Sequence, residues 1–166
     1  MTGGAASERS ERFLLFRIGD DSFGLPLDAV EEVLPLPPRL TPLPKAPDFV
    51  QGVMNVRGQV IPVIDQARRF SGTAVGSAKP RVIVVRIGSL TAGFIVDAVS
   101  EIAQVAESAL HEAPDLGTEG TRVFDRVATL GGRDSLVLIV SACELLDRAE
   151  QDLLTRLGKK SVTKAP

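Results

Sequence analysis

Apolar residues along most of this chain are concentrated in short segments, and only the C-terminal part carries a helical stripe. Residues 13–18 (Phe-Leu-Leu-Phe-Arg-Ile) predict a strand, 19–22 (Gly-Asp-Asp-Ser) a hairpin turn and 23–27 the return strand. Residues 48–65 predict a second hairpin, in which Val53, Val60, Ile61, Val63 and Ile64 suit a pleated, half-buried surface. Gly58 marks its turn, because glycine accepts φ > 0 without steric cost. Two further runs, 123–130 and 135–140, flank Gly131-Gly132-Arg133-Asp134 and predict another hairpin. Six prolines (Pro35, Pro37, Pro38, Pro42, Pro44 and Pro47) make 35–47 an extended loop, since proline lacks a donor N–H and fixes φ. Helical signals are few. Residues 66–70 predict a short helical turn capped by Asp65 and ended near Gly72. Residues 71–79 are small and polar, a linker. Ser141-Ala142-Cys143-Glu144 has the form of a capping box. Leu145, Leu146, Ala149, Leu153 and Leu157 then follow at helical spacing and predict a C-terminal helix over 141–158. Residues 1–12 and 159–166 are expected to be loose tails.

The pattern repeats. Residues 14–33 align without a gap on residues 83–102, an offset of 69. Arg17/Arg86, Ile18/Ile87, Gly19/Gly88, Gly24/Gly93, Asp28/Asp97, Ala29/Ala98, Val30/Val99 and Glu32/Glu101 are identical pairs. Residues 60–64 align on 136–140 at an offset of 76, each followed by a helix-capping residue. A period near seventy is too long for a solenoid unit. It predicts a mainly β protein of two small lobes with about five strands each, lobe 1 near 13–75 and lobe 2 near 80–145.

Composition narrows the functional classes. The 166 residues suffice for one domain or two lobes sharing a core. Nineteen basic residues against twenty-one acidic ones give a net charge of −2, and aromatic residues are 4% with no Trp or Tyr. That argues against a nucleic-acid surface, which needs a basic excess and stacking platforms. Cys143 is the only cysteine, which rules out an internal disulfide and fits a reducing, cytoplasmic setting. No apolar run is long enough to span a bilayer, and the N-terminus lacks the form of a signal peptide. One histidine and one cysteine cannot make a zinc site, and no phosphate-binding glycine loop follows a strand. Cys143 is expected as a buried small hydrophobe, and His111 as a surface residue in a loop or short helix over 106–113. Asp20 and Asp21 suit a turn tip, and the recurring Asp28 and Asp97 suit a shared turn role. Nothing assembles a nucleophile, a tuned base and an oxyanion site, so no enzyme and no cofactor is expected.

Binding chemistry is left. Asn55 and Arg57 are polar groups at the neck of an apolar hairpin. Arg57 cannot shed its charge, so burial would require a carboxylate partner. Glu31 and Glu32 are adjacent, so on an extended chain they face opposite sides, one solvated and the other turned inward. Glu32, the recurrent one, is assigned to Arg57 as a guanidinium–carboxylate fork whose loss, if buried, would cost about 3–5 kcal/mol.

Phe16-x-Ile-Gly-x-x-x-Phe-Gly24, Val30-x-Glu32-Val33 and Pro47-x-Phe-Val-x-Gly-Val-x-Asn55-x-Arg57-Gly58-x-x-Ile-Pro-Val-Ile-Asp65 together resemble the CheW family of chemotaxis coupling proteins. The likeness continues through residues 81–102, the Leu-Val-Leu-Ile-Val strand and the final helix, covering about 13–150. It implies two five-stranded SH3-like β-barrels in pseudo-two-fold relation, without catalysis. It implies a cytoplasmic adaptor, monomeric when free, that is recruited to receptor arrays. Such an adaptor couples the regulatory domain of the histidine kinase CheA to chemoreceptor cytoplasmic tips. An array for twitching or gliding motility, development or gene regulation is the alternative setting. By matching positions, Val30, Glu32, Val33, Asn55, Arg57 and Gly58 fall where the family's receptor-contacting and supporting residues lie, with Glu32 and Arg57 ion-paired. The chain departs from the family pattern at Gln66, where leucine is common, and in the proline density of 35–47.

Overall fold

The computed structural model describes residues 8–65, 76, 78–112, 124–130, 135–142, 145–146, 150 and 154–155. Among these, β1 (Ser10–Ile18), β2 (Asp21–Pro26), β3 (Val30–Pro35), β4 (Val50–Val56), β5 (Gln59–Asp65) and β6 (Arg81–Ile87) come first in chain order. They are followed by β7 (Leu90–Val96), β8 (Ala98–Ala106), β9 (Leu110–Glu112), β10 (Phe124–Leu130) and β11 (Ser135–Val140). A six-stranded sheet runs β8-β1-β2-β11-β10-β9, and a five-stranded sheet runs β3-β6-β7-β5-β4.

The sequence repeat has a structural counterpart. β3, the β6–β7 hairpin, β5 and β4 follow one another in one sheet as β8, the β1–β2 hairpin, β11 and β10 do in the other. In each, one strand pair is parallel: β5 with β7, and β11 with β2. Yet each sheet takes its central hairpin from the other half of the chain. The lobes read as continuous segments, 13–75 and 80–145, are therefore not the two sheets. The reason lies in the apolar hairpins, which are buried on both faces. Leu14, Phe16 and Ile18 of β1 enter a central core shared by both sheets, while Phe13 and Leu15 enter the core of the six-stranded sheet. Ile83, Val85 and Ile87 of β6 likewise enter the central core, and Val82 and Val84 the core of the five-stranded sheet. Each hairpin thus ties the two halves of the molecule together.

Among the described residues no ladder joins the two edges of either sheet, so the expected barrels are not closed by hydrogen bonds. The five-stranded sheet instead curls over its own core. Leu34 from edge strand β3 and Met54 and Val56 from edge strand β4 pack on the same cluster as Ile61, Val63, Val82, Val84 and Ile95. The proline-rich segment is a loop and neither helix nor central strand, as expected; it joins β4 through a Thr41–Val53 bridge and turns at Pro44 and Lys45, where the Ala46 N–H donates to the Leu43 carbonyl.

Other expectations change in detail. Residues 10–12, read as part of a loose tail, extend β1, because nine-residue β8 runs on to Ala106 and offers Ser10, Glu11 and Arg12 an edge to pair with. His111 lies in β9 after a single 3-10 turn, Glu107–Ala109, and not in a helix. Asp28 and Asp97 do not share one role. Asp97 is buried and accepts the Gly19 N–H at 2.7 Å, fastening the β1–β2 turn, whereas Asp28 is exposed in the 3-10 turn Leu27–Ala29. Of the C-terminal helix, Glu150, Leu154 and Thr155 have helical backbone, and Leu145, Leu146 and Leu154 are buried in the central core. Ser141, Ala142, Leu145 and Leu146, expected in its first turns, are not α-helical: Ala142 lies in a 3-10 turn and Leu145 and Leu146 in a bend. The rest of that helix, with Cys143, the turn at 66–70 and the tails 1–7 and 159–166, lies outside the described residues. No helix among the described residues is long and apolar enough to cross a membrane.

Candidate docking surface

The surface is built on the β4–β5 turn. Val56 pairs with Gln59, leaving Arg57 and Gly58 as a two-residue loop. Their φ angles are 51° and 85°, so both occupy the left-handed region. Mirror-image turns of this kind match the right-handed twist of the flanking strands. Gly58 is therefore required as the sequence suggested. Arg57 stands where asparagine or aspartate is the usual residue, at a cost of about 1–2 kcal/mol for a side chain with Cβ. Asn55 helps hold the turn: its Oδ1 accepts the Gly58 N–H at 2.9 Å.

From this strained position the guanidinium reaches the opposite edge of the curled sheet. Arg57 Nε lies 3.2 Å from Glu32 Oε2, and its Nη2 donates to Glu32 Oε1 at 3.4 Å. The pairing assigned from sequence is present, but at the surface. The Arg57 side chain is 82% exposed and that of Glu32 22%. A pair open to water contributes about 0–1 kcal/mol, which replaces the 3–5 kcal/mol expected of a buried one.

Glu31 and Glu32 do not face opposite sides. The β3–β6 register steps from Val30↔Val85 to Glu32↔Val84, so Glu31 is the extra residue of a β-bulge. The bulge turns it toward β6, where Arg86 Nε donates to Glu31 Oε1 at 3.0 Å and Nη2 lies 2.9 Å from the same oxygen. Arg86 follows Val82 and Val84 on one face of β6, and Glu32 is opposite Val84. Arg86, Glu31, Glu32 and Arg57 thus stand together at the mouth of the curled sheet. Of the six residues singled out from sequence, Glu32, Asn55, Arg57 and Gly58 meet here. Val30 and Val33 are half-buried on the other face of β3, packed against the central core. Glu31 and Arg86 were missed. Their charges were visible in sequence, but the bulge that brings them together was not.

Other candidates stay apart from this surface. Asp20 and Asp21 are exposed at the β1–β2 turn. His111 lines an open cleft of about 400 Å³ with Arg9, Glu11, Glu107, Glu112 and Arg126. There Glu11 accepts two hydrogen bonds from Arg126, at 2.7 and 3.1 Å, which hold its carboxyl below the ordinary value of 4.5 against a smaller opposing effect of burial. The Arg126 guanidinium also sits 5.5 Å from the Phe13 ring centroid. No group of histidine, cysteine or acidic residues among the described residues could hold a metal ion.

The profile of the CheW-like domain matches residues 12–150. The chain belongs to the CheW family. It is 37% identical over 122 residues to the chemotaxis protein CheW of Rhizobium meliloti, spanning 72% of this chain and 78% of that protein. It is 33% identical over 154 residues to the protein FrzA of Myxococcus xanthus, spanning 92% and 96%. The crystal structure of the scaffolding protein TtCheW from Thermoanaerobacter tengcongensis superposes with a TM-score of 0.73 at 31% identity, covering 84% of this chain and 89% of that one. CheW-family proteins are chemotaxis scaffolds and adaptors, and the two-sheet β architecture of this chain is theirs.

Proposed function

We propose that this CheW-family protein is a non-catalytic adaptor that couples a CheA-type histidine kinase to chemoreceptor cytoplasmic tips. Each sheet stands for one SH3-like barrel in this reading. Val30, Glu32, Val33, Asn55, Arg57 and Gly58 form and support the receptor-facing surface, and the kinase's regulatory domain engages the scaffold separately. The supporting observation is the strained Arg57, held out in the left-handed region by a tight turn and oriented by Glu32 at the rim of an apolar mouth. Strain of this kind, with so little return in stability from an exposed pair, supports a role for Arg57 in recognition rather than in folding. An adaptor built this way biases the kinase by binding its signalling states unequally. Titration of the labelled chain with a kinase regulatory domain, and separately with a receptor-tip helical hairpin, tests this. Micromolar binding with shifts centred on the β4–β5 turn in the receptor titration is expected. Failure of both partners to bind would end the proposal.

A second setting, an array that governs twitching or gliding motility, development or gene regulation, would use the same scaffold, and the chain matches both chemotaxis proteins CheW and the protein FrzA. The two settings differ in which receptors bind. Hairpins from the receptors of each array present in the source cell, compared side by side, separate them.

A further inference from the structure

We infer that Arg86 is a positioning residue: by engaging Glu31 it leaves Glu32 as the sole carboxylate partner of Arg57. The bulge places two adjacent carboxylates at one mouth. Arg57 has a long side chain that is 82% exposed, and the structure pairs its head with Glu32 alone of the two. Arg86 directs two donors at one oxygen of Glu31, at 2.9 and 3.0 Å, and so removes the competitor.

The other half of the molecule supplies an internal comparison. β8 carries the same bulge, its register stepping from Leu15↔Glu101 to Phe16↔Val99, with Ser100 as the extra residue. Arg17 occupies the position of Arg86 there, but Ser100 replaces Glu31, so the bulge forms without an ion pair. The Glu31–Arg86 pair is therefore dispensable for backbone geometry. It is also too exposed, at 36% and 68%, to matter greatly for stability. What it changes is the charge pattern at the mouth: a divided pair of carboxylates, each held by its own arginine. Its consequence for docking rests on the reading of this mouth as the receptor surface.

The test reads the Arg57 Nε–Hε resonance in the full labelled chain, free of any partner. Arg86→Gln is expected to shift it, as the Arg57 head divides between two carboxylates. Glu31→Gln is expected to leave it in place. Glu31→Gln added to Arg86→Gln is expected to bring it back, and Arg86→Lys is expected to keep it near the wild-type position. A merely structural pair would behave otherwise, with Glu31→Gln and Arg86→Gln giving the same shift. That result, or an Arg86→Gln resonance identical to wild type, overturns the inference. In a second arm, affinity for a receptor-tip hairpin should fall about two- to fivefold in Arg86→Gln and recover in the double variant, the range an exposed ion pair can account for. The expected resonance pattern without hairpin binding by the wild-type chain upholds the positioning role and overturns the docking reading alone.

Discussion

Arg57 combines two features that oppose each other in stability: a left-handed backbone that disfavours it and an exposed ion pair that adds little. Arg57→Gly should therefore leave folding stability within about 1 kcal/mol of wild type, since relief of the backbone strain offsets the lost pair. Receptor-tip affinity should fall all the same. Urea denaturation alongside a binding titration separates the two effects, and a loss of several kcal/mol would restore the buried-pair interpretation. Asn55 acts on the same turn from the backbone side. Asn55→Ala removes the acceptor of the Gly58 N–H and should cost about 1 kcal/mol, with faster hydrogen exchange at the Gly58 amide as the local sign. Glu11 offers a pH-dependent case. Its carboxyl titrates below 4.5 in the folded chain because Arg126 donates to the charged form. The associated stabilisation is complete above that value and is lost as pH falls through the lower folded value. With the Glu11 side chain 42% exposed, it amounts to less than about 1 kcal/mol. Arg126→Gln should flatten the acid limb of the urea midpoint measured against pH while leaving the neutral region little changed in slope.

At the scale of elements, the two hairpins β1–β2 and β6–β7 carry most of the packing. Gly93 on β7 shows how closely. A Cβ added there would lie 2.7 Å from Val82 Cγ1, a branched side chain buried in the core of the five-stranded sheet. Gly24, at the matching position of β2, would meet the flexible tip of Ile139 at 3.0 Å. Gly93→Ala should thus be destabilising by about 1–3 kcal/mol and Gly24→Ala by less, an order that chemical denaturation can check. Both glycines were visible in the repeat, and so were the strands at 13–27, 48–65, 123–130 and 135–140, because valine and isoleucine runs broken by glycine turns leave few other solutions. The bulges were not. Glu31 is one extra residue in an otherwise regular register, and nothing in its own chemistry distinguishes a bulge from the next residue of a strand. The assignment of the two glutamates to opposite faces failed for that reason, and with it the recognition of Arg86.

The whole molecule is an exchange of hairpins between halves. Residues 1–75 contain β3, β4 and β5 but lack the β6–β7 hairpin that fills the centre of their sheet, and residues 76–166 lack β1–β2. Each fragment alone is expected to be unfolded, and an equimolar mixture to regain β-type circular dichroism. A fragment that folds independently would show that the exchange is not needed for stability. The sequence alone established the mainly β character, the duplication, the hairpin at 48–65, the pairing of Arg57 with Glu32 and the likeness to CheW, because each is written in local spacing or in repeated residues. Tertiary structure decided which hairpin enters which sheet, since both hairpins are apolar on both faces and local pattern cannot choose between equivalent partners. It also decided that the Glu32–Arg57 pair lies in solvent and that Glu31 belongs to Arg86, because exposure and bulge register arise only when distant strands are brought side by side.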